Sequence, residues 1–237
     1  MKLSIIIPCY NEGKTIKENI TKKVIPYLND LDIDYEIIAV NDGSKDNTKK
    51  QIESIEGIKA ISYKPNRGKG GAIKEGILNA EGEYILFMDA DLSTDLSAFK
   101  DVIKYIGEYD CIIGSRHVKG SNIVIKQPLY RQFIGYMCRK LVNANFHFNY
   151  KDTQCGFKAF RKEYALEMAK RQIINGFAFD VEYLYFAKLN KLSCIEIPVI
   201  WENDRSSTVR VTSSSVRFLK DMKIIRKNKK NYLLGEK

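Results

Sequence analysis

Four short apolar runs in the first hundred residues each end in a cluster of small, polar or acidic side chains. The runs are Leu3–Ile7, Glu36–Val40, Ile58–Tyr63 and Tyr84–Met88, and the clusters begin at Pro8, Asn41, Asn66 and Asp89. Helical patterns separate them, expected over about 15–31, from a cap at Ser44 or Asp46 to about 55, and over 72–79. Strand, loop and helix in strict alternation require crossover connections, and those build a parallel, doubly wound sheet with helices on both faces. The exits of such strands share one rim, where open α/β sheets bind ligands. The expected fold class is therefore α/β, a Rossmann-like, mostly parallel sheet.

The fourth run carries the most specific chemistry. Tyr84–Met88 stops abruptly at Asp89-Ala90-Asp91. Two carboxylates one residue apart repel, and stay ionised only beside a cation or hydrogen-bond donors. A hard divalent ion bridging to phosphate oxygens suits them. The other reading is structural, because Asp91 or Ser93 can cap a helix starting near Leu96.

The other exits offer complementary groups. Pro8-Cys9-Tyr10-Asn11-Glu12 combines a rigid turn, an aromatic face and acceptor groups, which suit a base and a ribose, or simple turn chemistry. Asn41-Asp42-Gly43-Ser44 reads in the same two ways. Arg67-Gly68-Lys69-Gly70-Gly71 opens a helix, so its N–H groups and Lys69 suit phosphates, although it is neither a Walker loop nor G-x-G-x-x-G. His117 and His147 are the only histidines, and nothing in the sequence makes either a ligand.

The second half is less regular. A strand is expected over 110–114, ending at Ser115-Arg116, and 118–126 reads as a connector. Leu129–Phe148 mixes eight apolar side chains with Arg131, Arg139 and Lys140, an amphipathic helix for a membrane surface or for the core. A helix is expected from Lys162 to about Arg171, another opens at Phe177–Glu182, and Ile195–Trp201 reads as the last strand. Between 205 and 230, nine Lys or Arg face one acid, Asp221, with an apolar stripe of Val216, Leu219, Met222, Ile225 and Leu233. That basic helix either binds a membrane surface or packs on the domain.

Charge supports an anionic partner: 237 residues carry a net +10. Five scattered cysteines, none in C-x-x-C spacing, fit neither a disulfide framework nor a zinc site and suit the cytosol. No stretch approaches the ~20 apolar residues of a membrane span, so any membrane contact is expected to be peripheral, at a cytoplasmic face.

The motifs SIIIPCYNE, VNDGSKDNT, NRGKGGAI and FMDADLS, in this order and spacing, resemble the family 2 glycosyltransferases. DTQCGFKAF at 152–160, FAFDVE at 177–182 and EIPVIW at 196–201 are similar to the dolichyl-phosphate β-glucosyltransferase branch. The resemblance implies a GT-A fold over 1–212, with a nucleotide-sugar half (1–115), an acceptor half (116–212) and a basic amphipathic helix at 213–237. It implies that Pro8, Tyr10, Asn11, Glu12 and Asp42 bind the uridine of UDP-glucose, with Lys69 and Ala90 beside the nucleotide. Asp89 and Asp91 would hold Mg²⁺ or Mn²⁺ on the diphosphate. Arg116 and Arg131 would hold the phosphate of a polyprenyl (dolichyl or undecaprenyl) acceptor, with Asp152, Gln154, Asp180 and Glu182 lining that side. Two motifs depart from the family. Ser93 stands where related mannosyltransferases use a Gln, and Arg205–Thr208 replaces Pro-Gly-Ser-Lys, leaving Arg210 as a stand-in for the lysine.

The implied reaction is metal-dependent, inverting transfer of a hexose to a lipid phosphate. A phosphate acceptor is already ionised at neutral pH and needs positioning arginines more than a base. A carbohydrate hydroxyl acceptor would instead need a general base, with Asp152 or Asp180 as candidates. A nucleic-acid-binding module using the basic tail is the remote alternative, without the usual stacking platform; nucleic acid is not an expected partner, and a homo-oligomer stays open.

Overall fold

The computed structural model describes residues 2–125, 128–202 and 211–235, without the side chains of 211–216. Its main sheet has seven strands: β1 (Lys2–Cys9), β2 (Asp34–Asp42), β3 (Lys59–Tyr63), β4 (Tyr84–Phe87), β5 (Cys111–Ser115), β7 (Lys158–Arg161) and β8 (Cys194–Pro198). They lie in the order β3-β2-β1-β4-β7-β5-β8. Every neighbouring pair is parallel except those of β7, which runs antiparallel between β4 and β5. Because β7 is reversed, the segment that leads into it reaches the same rim as the exits of the parallel strands. That reversal puts residues 152–157 opposite the Asp89 loop.

The central strands are buried on both faces, as their near-continuous apolar composition requires. Along β1, Leu3, Ile5 and Ile7 enter one core and Ile6 the other. One core is covered by α1 (Ile16–Glu18), α2 (Ile25–Asp30), α3 (Thr48–Glu53) and α5 (Ala98–Tyr105). The other is covered by α4 (Lys69–Leu78), α7 (Lys162–Arg171), α8 (Phe179–Leu189) and α9 (Val211–Lys227). In α9, Phe218, Met222 and Ile225 are buried while Leu219 stays half-exposed, so from 217 onward the basic helix packs on the domain. Val216's side chain, Arg205 and Arg210 lie outside the described residues.

Four expected elements differ in the structure. The helix expected over 15–31 contains a π-helical stretch, Asn19–Val24, between α1 and α2. The connector at 118–126 contains a strand, β6 (Asn122–Ile125), which pairs in parallel with β9 (Ile200–Glu202). The single strand expected at 195–201 is therefore two, because the chain leaves the main sheet at Val199 to join β6. Helix α6 (Leu129–Phe146) stops two residues early, at His147, which takes a left-handed φ of 53° as its cap.

Candidate active site

The Asp89-Ala90-Asp91 loop leaves β4 on the rim, and it does not cap the following helix. That helix starts at Ala98 behind Ser97, which makes no side-chain capping bond, and Asp95 Oδ1 accepts the N–H of Ser97 at 2.9 Å in the turn before it. Asp91 Oδ1 accepts from Ser93 N (2.9 Å). Asp89 accepts from the Lys69 ammonium. Partial desolvation and the Asp89 charge both push the Asp91 carboxyl above the usual carboxylate range. Burial works to lower the Lys69 pKa, but the carboxylates of Asp89 and Asp180 outweigh it and hold the ammonium charged.

These residues fit a hard divalent ion. Two adjacent carboxylates share one lysine, and Asp91 is destabilised by its neighbour's charge, which a cation would relieve. Among the described residues no third His, Cys, Asp or Glu completes a cage. That suits an ion bound by one or two carboxylates plus substrate phosphates.

Two residues position the loop that sequence reasoning missed. Asn19, tipped inward by the π-helical stretch, donates to the carbonyl of Ala90 at 3.0 Å. Its signal was a polar side chain between Ile16 and Ile20 on a buried helix face. Gly156 lies under Asp89, and a Cβ there would sit 2.0 Å from Asp89 Oδ2. Its signal was a glycine between Cys155 and Phe157, both buried.

The neighbouring exits are stitched together. Asn11, at φ 58°, donates its N–H to Ser44 Oγ (2.9 Å) and accepts from Lys45 N (2.9 Å). Glu12 N–H donates to Thr48 Oγ1 at 2.8 Å. Tyr10 leaves the same loop half-exposed, a free aromatic face. Asp42 is buried and accepts from Arg67 N (2.7 Å), Gly68 N (2.8 Å) and Asn66 Nδ2 (2.8 Å). The glycine-rich loop was expected to give its N–H groups to phosphates. Here it gives two to Asp42 and one, that of Gly71, to Asn175 O. Its glycines serve close packing: a Cβ on Gly70 would meet Phe179 Cβ at 2.7 Å and Ile174 O at 2.8 Å.

On the acceptor side, Arg116 donates to Asp152 through Nε (2.6 Å), Nη2 (3.0 Å) and its backbone N–H (3.1 Å). Burial would raise the Asp152 carboxyl, but this bidentate guanidinium holds it well below the usual range. Gln154 N also donates to Asp152, at 3.2 Å. Arg116 stacks 5.2 Å over Trp201, which β9 brings to the rim. Asp180 pairs with the fully buried Lys158 at 2.5 Å and feels Lys69. Burial nevertheless keeps the Asp180 carboxyl above its ordinary value.

One expectation is corrected here. Glu182, expected beside Asp180, faces the other way, because residues two apart on a helix point about 200° apart. It accepts from Ile173 N, Ile174 N and Tyr232 Oη at 2.7, 3.0 and 2.7 Å, and so fixes the loop lying over the start of α4. Arg131, also expected on the acceptor side, lies on α6 and makes no bond to Asp152 among the described residues. It sits in the first turn of α6 with its Nε buried and unpartnered. The α6 arginine that faces the pair is Arg139, whose Nη1 meets His117 Nε2. It lies eight residues on, about 12 Å along the axis and 80° round the helix. Beside it opens a 780 Å³ cavity walled by His117, Tyr136, Arg139, Lys140, His147 and Lys151.

A doubly wound sheet with paired carboxylates at the exit beside its switch point, and cations across the cleft, defines a nucleotide-sugar transferase of the GT-A type. Residues 4–168 match Glycosyl transferase family 2, and the chain belongs to that family. It is 37% identical to the dolichyl-phosphate beta-glucosyltransferase of Dictyostelium discoideum, over 98% of this chain and 75% of that protein. It is 32% identical to the enzyme of that name from Homo sapiens, over 95% and 75%. The fold is similar to glucosyl-3-phosphoglycerate synthase from Mycobacterium tuberculosis, crystallised with Mn²⁺, UDP and glucosyl-3-phosphoglycerate. The TM-score is 0.68 at 16% identity, over 96% of this chain and 79% of that one. It is also similar to S. aureus TarS 1-349 in complex with UDP-GlcNAc, with a TM-score of 0.60 at 20% identity over 95% and 65%. The protein is a glycosyltransferase.

Proposed function

We propose that this glycosyltransferase moves glucose from UDP-glucose to the phosphate of a polyprenyl lipid, inverting the anomeric carbon. The relatives named for that reaction support it, and one observation in the cleft carries it. Asp152 is buried, bonded to Arg116 on both oxygens, and held ionised far below neutral pH. It cannot take a proton from a sugar hydroxyl, and Asp180, tied to Lys158, is poorly placed to do so. An ionised phosphate needs no such base.

In this reading Tyr10 stacks on the uracil, Pro8 and Asn11 shape its loop, and Glu12 accepts from the ribose. Asp42 acts through the Asn66–Gly68 loop it holds. Asp89 and Asp91 would hold Mg²⁺ or Mn²⁺, and the ion would supply positive charge against the charge developing on the leaving diphosphate. Lys69 contributes to the same neutralisation. A phosphate oxygen of the acceptor forms the new bond to C1 as the C1–O bond to UDP breaks, and UDP leaves with the electron pair. Arg116 keeps one guanidinium nitrogen, Nη1, for the acceptor phosphate, with Gln154 beside it.

Helix α6 gives this chain a membrane-facing surface. Leu129 (82% exposed), Phe133 (65%), Tyr130, Tyr136 and Met137 stand out from it, with the exposed Lys140 among them. An exposed apolar face with flanking cations lies in a lipid interface. Among the described residues no helix is long and apolar enough to cross a membrane.

The test is transfer of labelled sugar from UDP-glucose, UDP-GlcNAc and GDP-mannose into organic-extractable polyprenyl phosphate, with and without Mn²⁺. Metal-dependent label in the lipid phase from UDP-glucose is expected. Label appearing only in glycan acceptors would refute the assignment.

A further inference from the structure

Lys69 is the first residue of α4, and the backbone on either side of it is gripped from two directions. Before it, the N–H groups of Arg67 and Gly68 are held by Asp42 at 2.7 and 2.8 Å. After it, Gly70 O accepts from Gln172 Nε2 at 2.9 Å, and Gly71 N–H donates to Asn175 O at 3.2 Å. The first grip comes from the exit of β2. The second comes from residues 172–178, the irregular segment joining α7 to α8. The two meet without slack, since a Cβ on Gly68 would lie 2.5 Å from Asn175 O.

A segment with no helix or strand of its own grips only if something holds it in turn, and α8 does. Glu182 takes the N–H of Ile173 on one carboxylate oxygen (2.7 Å) and that of Ile174 on the other (3.0 Å). Next to it on α8, Tyr183 Oη donates to Gln172 Oε1 at 2.7 Å. That bond fixes which way the Gln172 amide faces, so both Nε2 hydrogens point at carbonyls, those of Gly70 and Ile174 (2.9 and 2.8 Å). Gln172, Glu182 and Tyr183 are all buried. Burial pushes the Glu182 carboxyl above its ordinary value in spite of these donors. An apolar side chain would fill the same place at a lower cost of desolvation. What the polar set secures is one geometry of the segment.

We propose that residues 172–175 form the second jaw of a clamp that sets Lys69 on the donor diphosphate, with Gln172 and Glu182 as its positioning residues. The assignment rests on the donor given above and on the role given there to Lys69. A lysine ammonium rides on a flexible four-carbon stem, so the backbone at its root decides where it can reach. If the jaw loosens, the first turn of α4 shifts and carries the ammonium with it. The uridine end of the donor, served by the Tyr10 loop, would not feel that shift.

The experiment titrates UDP–Mn²⁺ and uridine into the full chain without acceptor, and follows the urea midpoint of each variant. Gln172→Met and Glu182→Gln are each expected to weaken UDP–Mn²⁺ about tenfold, the scale of one charged hydrogen bond, and to leave uridine within about twofold. In a Lys69→Met background neither substitution should add more than about twofold. Gln172→Met keeps the side chain's volume at the end of α7, and it decides the matter if Glu182→Gln proves too unstable to titrate. The surface control Lys100→Gln binds both ligands as wild type does. Unchanged UDP–Mn²⁺ affinity in Gln172→Met would overturn the proposal. So would uridine weakening in step with UDP–Mn²⁺, or an equal loss with and without Lys69, because either marks a general loosening of the fold. Lys69→Met alone separates the two readings. Unchanged UDP–Mn²⁺ affinity there strikes the role given to Lys69, whereas a loss there with none in Gln172→Met strikes only the clamp.

Discussion

Gly156→Ala separates catalysis from folding more cleanly than a substitution of either aspartate. The added Cβ would lie 2.0 Å from Asp89 Oδ2, 2.5 Å from Cγ and 2.8 Å from Oδ1, whereas ordinary contact begins at 3.4 Å. Asp89 Oδ2 must therefore retreat by about 1.4 Å, the difference between those distances. What yields is the end of a side chain that is 30% exposed, so the backbone can stay where it is. An off-rotamer aspartate costs about 0.5–1.5 kcal/mol, and Gly→Ala at a tolerant backbone position returns about 0.4–1 kcal/mol through the unfolded chain. The net stability change is thus within about 1 kcal/mol. A reacting group displaced by about 1 Å loses on the order of 10² in rate. Sugar transfer is expected to fall about a hundredfold while the urea midpoint barely moves. In an Asp89→Ala background, where the carboxylate is gone, the alanine at 156 is expected to add nothing to the loss of UDP–Mn²⁺ affinity. Transfer within about threefold of wild type would refute this reasoning, as would an equal affinity loss in both backgrounds.

The remaining expectations concern the residues around that carboxylate. Asn19→Leu removes one hydrogen bond to Ala90 O, and should cost about 1 kcal/mol of stability with a drop in kcat larger than any change in acceptor KM. Asp152→Asn leaves Arg116 without its counter-charge, and should cost about 3–5 kcal/mol at pH 7. The folded Asp152 pKa lies below its unfolded value of ~3.9, so this contribution is whole above that value and disappears as pH falls through the folded one. The gap between wild-type and Asp152→Asn urea midpoints is therefore expected to be constant from pH 7 to 5 and to close below about 4; a gap that widens in acid would contradict it. Tyr232→Phe loses the bond to Glu182, which keeps two N–H donors, so a cost of about 1 kcal/mol with unchanged kcat is expected.

What the sequence disclosed was whatever local periodicity and chain order determine. Alternating apolar runs and polar exits placed the first four strands within two residues at most boundaries, and they put the Asp89 loop on the rim. What it hid depends on partners distant in sequence. The role of Gly156 is invisible without Asp89 above it, 67 positions earlier. Asp42 looked like a ligand contact because the donors that fill it lie 24 to 26 residues away. Asp180 and Glu182 share a face only on a loop or strand, where two-residue spacing repeats; both sit on α8, which turns them apart. Arg131 and Arg139 are equivalent as sequence, and only the rotation of α6 distinguishes them.

The charges of the cleft carry a further implication when taken together. Lys69–Asp89, Arg116–Asp152 and Lys158–Asp180 are closed pairs, each with little exposed surface. Charges removed from water are tolerated only when so paired. Two groups at the edges of this set have no such partner among the described residues. On the donor side it is an anion, Asp91, whose carboxyl is pushed up by burial and by the Asp89 charge. On the acceptor side it is a cation, Arg139, whose guanidinium is pushed down by burial, with the Asp152 carboxylate drawing it up and Arg116 pushing it down. Unit charges 4 Å apart interact by about 4 kcal/mol at an effective dielectric of 20, so each leftover is a substantial incentive to bind its complement. A divalent ion with a diphosphate settles the first, and an anionic head settles the second. Donor and acceptor binding should therefore each raise the melting temperature independently, and Asp91→Asn should erase the rise with UDP–Mn²⁺ while sparing that with farnesyl phosphate.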